Sequence, residues 1–273
     1  MVRVINMIKH SQSELQKIAK QVRSDVIEMI YKAGTGHPAG SLSATDILVA
    51  LYFEIMDEGD KFLLSNGHVC PALYSVWAEK GLIPRESLSQ YSDLNSVLQG
   101  HPEKIRLPDL IVNTSGPLGL GLAQSVGYAL ATKISLPAGG RIYCMSSDAE
   151  HDEGNHLEAM LLAPKYKLNN LTLFVDRNMI QIEHGTEQIL PLGDLGEKYR
   201  SFGWNVLNIN GHDFDEIINA VNSAKEFKDG PTVIIAKTTA GKGVSFMEGS
   251  PDWHAKAPNE DEYKKAIQEL KNE

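Results

Sequence analysis

Asp148 stands in the run Ser147-Asp148-Ala149-Glu150, and Asn178 stands in Asp176-Arg177-Asn178, 30 residues further on. A carboxylate and a carboxamide oxygen are hard donors suited to Mg²⁺ or Ca²⁺, the more so where phosphate oxygens complete the shell. That separation is about one strand–helix–strand unit, so both side chains could reach the same rim of a parallel sheet. The plainer reading has Asp148 capping the helix that follows and Asn178 in a turn. Spacing alone favours the plainer reading.

Histidines give a second set of candidates. His37, His68, His101 and His254 lie beside Gly, Pro or Trp in loop contexts, and His37 and His101 each precede a proline, which holds them extended. One such histidine is usually structural; four together suit proton transfer or phosphate contact. His10, His151, His156, His184 and His212 show no metal-ligand spacing and are expected at the surface. Gly116-Pro117-Leu118-Gly119-Leu120-Gly121 leads into a run of small residues, and its backbone could approach a flat ligand because glycine has no Cβ. It lacks the G-x-G-x-x-G dinucleotide fingerprint. Gly34-Thr35-Gly36-His37-Pro38-Ala39 fits the looser form but follows a helical pattern rather than a strand, and no Walker A loop is present.

The elements that must position these residues are legible from periodicity. Apolar residues from Leu15 to Ala33 recur at three- and four-residue spacing, with Gly34 as the stop, and Asp46 to Tyr52 reads as a second, more buried helix. Ser65 to Ser115 reads as loop-rich, and long loops in a compact fold often line a site. A buried helix is expected over Gly119–Ile134, then strands at Arg141–Met145, Leu171–Val175, Trp204–Ile209 and Pro231–Ala236. Helices at Asn155–Ala163, Leu195–Phe202 and Asp213–Phe227 separate them. This alternation implies an α/β fold, a parallel sheet with helices on both faces. In such a sheet ligands sit beyond the carboxyl ends of the strands, here Ser146–Glu153, Asp176–Thr186, Asn210–Asp213 and Lys237–Met247. Asn259 with Glu262 reads as a capping box opening a charged, solvated helical tail, and residues 1–273 read as one domain.

The composition bounds the function. With 42% hydrophobic and 22% charged residues over 273 positions, the chain is a globular protein with a sizeable core. A net charge of −9 argues against binding a nucleic-acid backbone. No apolar run approaches a membrane span, and Met1 to Gln16 lacks the apolar core of a signal peptide. Cys70 and Cys144 are far apart and form no CxxC pair, which fits a reducing cytoplasm and excludes a thiolate zinc site.

Taken together the loops carry a resemblance. Gly36-His37-Pro38, Leu64-Ser65-Asn66-Gly67-His68, Gly100-His101-Pro102-Glu103 and Ser115 to Gly121 are followed by Asp148 with Glu153-Gly154 and Glu158-Ala159. Asp176 to Asn178 with Gln181, and then Gly241 to Glu248 with Trp253-His254, complete the set. Each element is weak, but in this order over nearly the whole chain they resemble the transketolases. The resemblance reverses the preference given above for Asp148 and Asn178. It covers only the amino-terminal, diphosphate-binding domain; the pyrimidine-binding and carboxy-terminal domains have no counterpart in the sequence. The chain is therefore similar to the N-terminal subunit of a split transketolase, whose partner is a separate C-terminal polypeptide carrying the pyrimidine domain.

The resemblance implies a thiamine-diphosphate-binding fold, thiamine diphosphate with Mg²⁺ (or Ca²⁺) as cofactor, and transfer of a two-carbon ketol unit from a ketose phosphate to an aldose phosphate. Asp148, Asn178 and the Ile180 carbonyl would ligate the metal. His68, the Ala149 amide, Glu150 and His254 would belong to the diphosphate site, and Gly116, Pro117 and Leu118 would hold the aminopyrimidine. His37, His101 and His254 would face the sugar, and Glu153 would sit at a subunit contact. A homodimer within a heterotetramer is implied. Two departures stand out: Ser147-Asp148-Ala149 replaces the family's Gly-Asp-Gly, and the stretch Gln181 to Gly185 is one residue longer before its glycine. The resemblance also reaches relatives with other substrates, such as deoxyxylulose-phosphate synthase, phosphoketolase and apulose-type transketolase. Ser147 and Ala149 are what would suit a non-catalytic paralogue.

Overall fold

The computed structural model describes residues 10–135 and 140–272; residues 1–9, on which most of the signal-peptide reading falls, lie outside them. Helices α1 (Gln12–Ala33), α2 (Pro38–Ala50) and α3 (Cys70–Glu79) precede α4 (Leu120–Ser135), α5 (Gly154–Lys165) and α6 (Thr186–Ile189). Helices α7 (Leu195–Ser201), α8 (Phe214–Glu226) and α9 (Glu260–Asn272) complete the set. The strands are β1 (Lys61–Leu64), β2 (Ile142–Ser147), β3 (Leu171–Arg177), β4 (Ile180–Gln181), β5 (His184–Gly185), β6 (Asn205–Asn210) and β7 (Thr232–Lys237).

Five strands form one all-parallel sheet in the order β1-β2-β3-β7-β6, and β4 and β5 make a separate antiparallel hairpin. Side chains alternate along each strand, so both faces are buried. Tyr143, Met145, Phe174 and Ile234 face a core shared with α1, α2, α3, α8 and α9. Cys144, Leu173, Val175 and Val233 face a second core built by α4, α5 and α7. The parallel sheet with helices on both faces is thus as the alternation implies. β2, β3, β6 and β7 fall where periodicity puts them, each ending one or two residues later.

Capping explains the helix ends. Ser11 and Glu14 form a reciprocal capping box on α1, and Gly34, at φ 66°, closes it in the left-handed conformation. The predicted capping box of Asn259 and Glu262 also forms, with bonds of 2.8 and 2.9 Å.

Four expectations are corrected. α2 begins at Pro38 rather than near Asp46, because proline needs no N–H partner in a first turn; His37 thereby becomes its N-cap residue. The stretch Ser65–Ser115 contains α3, whose Tyr74 and Trp77 are buried, and β1 precedes it at the sheet edge. Four residues are too few for period-2 patterning to reveal β1. The terminal helix α9 is not wholly solvated: Ala266 and Leu270 are buried, and Tyr263 stacks on Tyr31 of α1 at 4.3 Å. Finally, His151 and His156 are buried, not superficial. Among the described residues no helix is long and apolar enough to cross a membrane.

Candidate active site

The carboxyl ends of β2, β3 and β7 lie side by side, with Ser147 opposite Asp176 and Asp176 opposite Ala236. A cavity of about 310 Å³ opens at this rim. Its wall combines His37, His68, His101 and His254 with Gly116, Leu118, Ala149, Asn178, Ile180 and Gln181. The four histidines, scattered over more than two hundred residues of sequence, form one cluster. Ring centroids lie 5.1 Å apart for His37–His68, 5.3 Å for His37–His254, 5.4 Å for His68–His254 and 6.2 Å for His37–His101.

Several local devices bring them there. His37 precedes α2, and His68 lies in the short turn leading into α3. His254 is delivered by the segment after β7, which is tied back to α2 through the Gly241 amide and the Ala39 carbonyl at 2.9 Å. Gly241 adopts φ +77°, and a Cβ there would approach the Met247 carbonyl oxygen to 2.4 Å, so only glycine fits this tie.

Burial sets the charge of the cluster. It lowers His37 to about 4, helped by the nearby imidazoles of His254 and His101. His68 is driven well below its ordinary value, chiefly by burial, and burial also lowers His101 and His254. All four are therefore neutral near pH 7, each with one donor and one acceptor nitrogen. Buried polar atoms without protein partners stand here too: His37 Nδ1 and Gln181 Oε1. Such atoms are costly unless a ligand satisfies them.

The carboxylates play different parts. Glu150 does not border the cavity; it is fully buried behind it, accepting from the Ser65 hydroxyl at 2.6 Å and from the Gly119 and Ser147 amides at 2.8 and 2.9 Å. It thus braces the glycine-rich loop against the end of β2. Asp176, also fully buried, accepts from the Ser43 hydroxyl at 2.7 Å, from the Thr238 hydroxyl, and from Asn178 Nδ2 at 3.0 Å. That last bond fixes the amide orientation of Asn178, whose Oδ1 accepts from the Ile180 amide at 3.0 Å.

Asp148 lies just behind Ala149, with no exposure of its own. Burial pushes its carboxyl up to about 6, against the pull of the Arg177 guanidinium 3.0 Å away. Ala149 has none of the positive φ that would penalise a Cβ, so its departure from glycine strains no backbone. Pro117 links Gly116 and Leu118 without lining the cavity itself. The longer Gln181–Gly185 stretch folds as the β4–β5 hairpin, whose tip holds Ile182 at φ 53°.

Three features escape sequence reasoning. Ser43, Asp176 and Thr238 organise Asn178, yet hydroxyls and a strand-end aspartate carry no spacing signal. Arg177 reaches Asp148 and Glu187, joining positions that only the hairpin brings together. Buried His151 lies between the Asp148 carbonyl and the Tyr199 hydroxyl, both at 2.8 Å, and His156 reaches the same hydroxyl at 3.0 Å. The carbonyl can only accept, so His151 Nδ1 donates to it and Nε2 accepts from Tyr199. These histidines hold the turn after β2 from behind, on the side away from the cavity.

The residues fit a diphosphate cofactor with a divalent ion. Neutral imidazoles, glycine backbone and the unpartnered His37 Nδ1 and Gln181 Oε1 line the cavity, with Asn178 on its wall and the buried Asp148 carboxylate just behind Ala149. Residues 14–273 match the family model described as transketolase, thiamine diphosphate binding domain. The chain is 38% identical over 266 residues to an apulose-4-phosphate transketolase subunit of Phocaeicola vulgatus, covering 94% of this chain and 93% of that one. It is 39% identical over 276 residues to the 6-deoxy-6-sulfo-D-fructose transketolase subunit SqwG of a Clostridium species, covering 97% and 99%. The crystal structure of transketolase from Campylobacter jejuni superposes with a TM-score of 0.88 at 33% identity, over 96% of this chain but 43% of that one. The chain thus spans less than half of the transketolase it matches in structure, and nearly all of the subunits it matches in sequence. Its fold, its cavity and these matches agree that the chain belongs to the transketolase N-terminal, thiamine diphosphate-binding domain family.

Proposed function

We propose that this chain, as one domain, is the cofactor-holding subunit of a split transketolase that moves a two-carbon ketol unit between sugar phosphates, active only with a partner polypeptide that supplies the pyrimidine-binding domain. The observation that carries this reading is the convergence of four neutral histidines on a cavity whose floor is the rim bearing Asn178 and Ala149. The full-length similarity to relatives named as subunits supports the split arrangement.

In this reading Asp148, Asn178 and the Ile180 carbonyl would hold Mg²⁺ or Ca²⁺ beside the diphosphate. The Ala149 amide, His68 and His254 contact the diphosphate, while the backbone of Gly116 to Leu118 lies against the aminopyrimidine. Glu150 acts from behind, keeping the loop and strand end in register. The chemistry that thiamine diphosphate supplies when bound is a stabilised carbanion able to add to a ketose carbonyl. His37, His101 and His254 bind sugar hydroxyls and move protons to and from them. His37, lowered to about 4, is a weak base suited to orienting a hydroxyl rather than storing a proton.

The donor sugar has a second reading. Subunit-type relatives are named for apulose-4-phosphate and for 6-deoxy-6-sulfo-D-fructose. A branched or sulfonated ketose is therefore an alternative to an ordinary ketose phosphate. Both readings are tested by reconstituting the chain with its partner, thiamine diphosphate and Mg²⁺, and assaying transfer to an aldose phosphate from each donor class. Turnover confined to the mixture supports the split enzyme, and the preferred donor names the substrate. Full turnover by this chain alone would overturn the split arrangement. No cofactor heat in calorimetry on the complex would instead mark a non-catalytic paralogue.

A further inference from the structure

A second cavity, of about 500 Å³, shares no lining residue with the histidine-lined one. Four cations stand on its wall: Lys17, Lys20 and Arg23 of α1, and Lys242 of the segment after β7. Asp46 of α2 is the one carboxylate on that wall among the described residues, and it is already committed. Its Oδ2 accepts from Arg23 Nη2 at 2.5 Å and lies 2.7 Å from His212 Nδ1. His212 Nε2 accepts from the Thr239 amide at 2.8 Å. An amide only donates, so Nδ1 carries the imidazole proton and donates it to Asp46, which leaves His212 neutral. Asp46 and Arg23 thus cancel as a buried pair, and three lysine charges are left over. Lys20 Nζ donates to the Lys271 carbonyl at 2.9 Å, a neutral acceptor. Lys242 Nζ is 3.7 Å from Glu248 Oε1, a partly exposed pair of small worth. Glu14, one turn before Lys17, is turned to Ser11 in the capping box.

We propose that this cavity is a second anion site, suited to a small phosphate monoester with a hydroxylated body. It stands apart from the cofactor cavity and does not depend on the reaction proposed above. A phosphate monoester carries nearly two negative charges near pH 7 and three acceptor oxygens, which matches ammonium groups arriving from α1 and from the segment after β7. A single carboxylate would leave most of that surplus charge unmet. Ser13 and Gln16 offer neutral donors on the same wall, and the buried Phe214 ring offers an apolar face. Arg23, paired with Asp46 through Nη2, has its Nε buried without a partner, so an unmet donor lies beneath the surplus charge. The volume is that of a small-molecule pocket rather than of a groove for a polymer. In a chain of net charge −9, a concave wall of this sign runs against the average surface.

The test is calorimetry on the full chain with inorganic phosphate and with glycerol 3-phosphate, at saturating thiamine diphosphate and Mg²⁺ so that the cofactor's own anion site is filled. One molecule of either probe is expected to bind per chain, more weakly as salt is raised. K17Q/K242Q is expected to bind about tenfold more weakly or worse, the scale of losing charge-assisted contacts. K165Q/K228Q removes the same charge from exposed positions elsewhere and is expected to bind like the parent. Thermal midpoints without ligand check that both variants fold. No saturable heat in the parent, or equal weakening in the two variants, would overturn the site. Loss of phosphate heat in H68Q but not in K17Q/K242Q would place the anion in the first cavity and overturn it as well. Binding that disappears on reconstitution with the partner subunit would assign the cavity to an interface, against the proposal.

Discussion

At the scale of single residues, the site works by keeping ionisable groups neutral or fully partnered. Buried imidazoles shed their protons because a low-polarity surround disfavours the cation, and in a cluster each raises the cost for the next. His37 titrates at about 4 in the folded chain, below an unfolded histidine. Between about pH 6.5 and 4 the unfolded chain thus binds more protons, and acidification through that window draws the chain toward unfolding. The thermal midpoint is expected to fall as pH is lowered from 6.5 to 4, and to fall less in H37Q; equal slopes for the two would show that His37 is not the group responsible. The same economy of charge appears in Asp176, whose buried carboxyl is raised by burial yet held by three donors, one of them Asn178. Asn178 therefore faces the cavity with its amide already oriented, which a turn residue free in solvent could not achieve.

At the scale of elements, the cavity depends on close approach between segments distant in sequence. The first turn of α4 lies against the end of β1: the Gly121 amide donates to the Ser65 hydroxyl at 3.1 Å, and a Cβ at Gly121 would meet Ser65 Cβ at 2.3 Å and its Cα at 2.5 Å. No rotamer change can relieve a contact with a Cα. G121A is expected to cost about 1–3 kcal/mol, the range for overpacking a filled site. It should also loosen the Glu150 brace, since Glu150 bonds both Ser65 and Gly119. Urea denaturation measures the loss, and calorimetry with thiamine diphosphate measures the brace; unchanged stability would show that α4 can shift without penalty. The strand ends act differently: β2, β3 and β7 share a parallel register, so Ser147, Asp176 and Ala236 finish level, and the turns after them meet at one rim.

At the scale of the whole molecule, one outer surface remains apolar. On α5, Leu157, Leu161 and Leu162 are exposed by 41, 59 and 41%, and their spacing puts them on one side of the helix. Ile182, at the hairpin tip and on the wall of the cavity, is 58% exposed, and Leu190, just after α6, is 53% exposed. Apolar surface of this kind marks places where other chains dock, in keeping with the split arrangement proposed above. L161D is expected to weaken association with a second copy or with the partner subunit by about tenfold or more, since a charge would replace a buried side chain of an interface centre. Sedimentation of the reconstituted complex measures it; an unchanged mass distribution at all concentrations would assign the face to solvent.

Much of this was written in the residue order. Alternating β-formers and amphipathic runs fix an α/β sheet covered on both faces, since a parallel strand buried on both sides leaves no other pattern. Gly34, and Asn259 with Glu262, mark helix ends through bonds made within a few residues, which is why they are readable locally. The ordered loops were enough to single out His37, His68, His101, His254 and Asn178, and all five border one cavity. What the tertiary structure decided were the partnerships across long separations. Arg177 takes an oxygen of Asp148, Glu150 braces Ser65 and Gly119, and His151 and His156 turn inward onto Tyr199. Such contacts depend on which element packs beside which, and a side chain's sequence neighbours carry no record of that. Periodicity reports the burial of a face; only packing determines which polar group meets which.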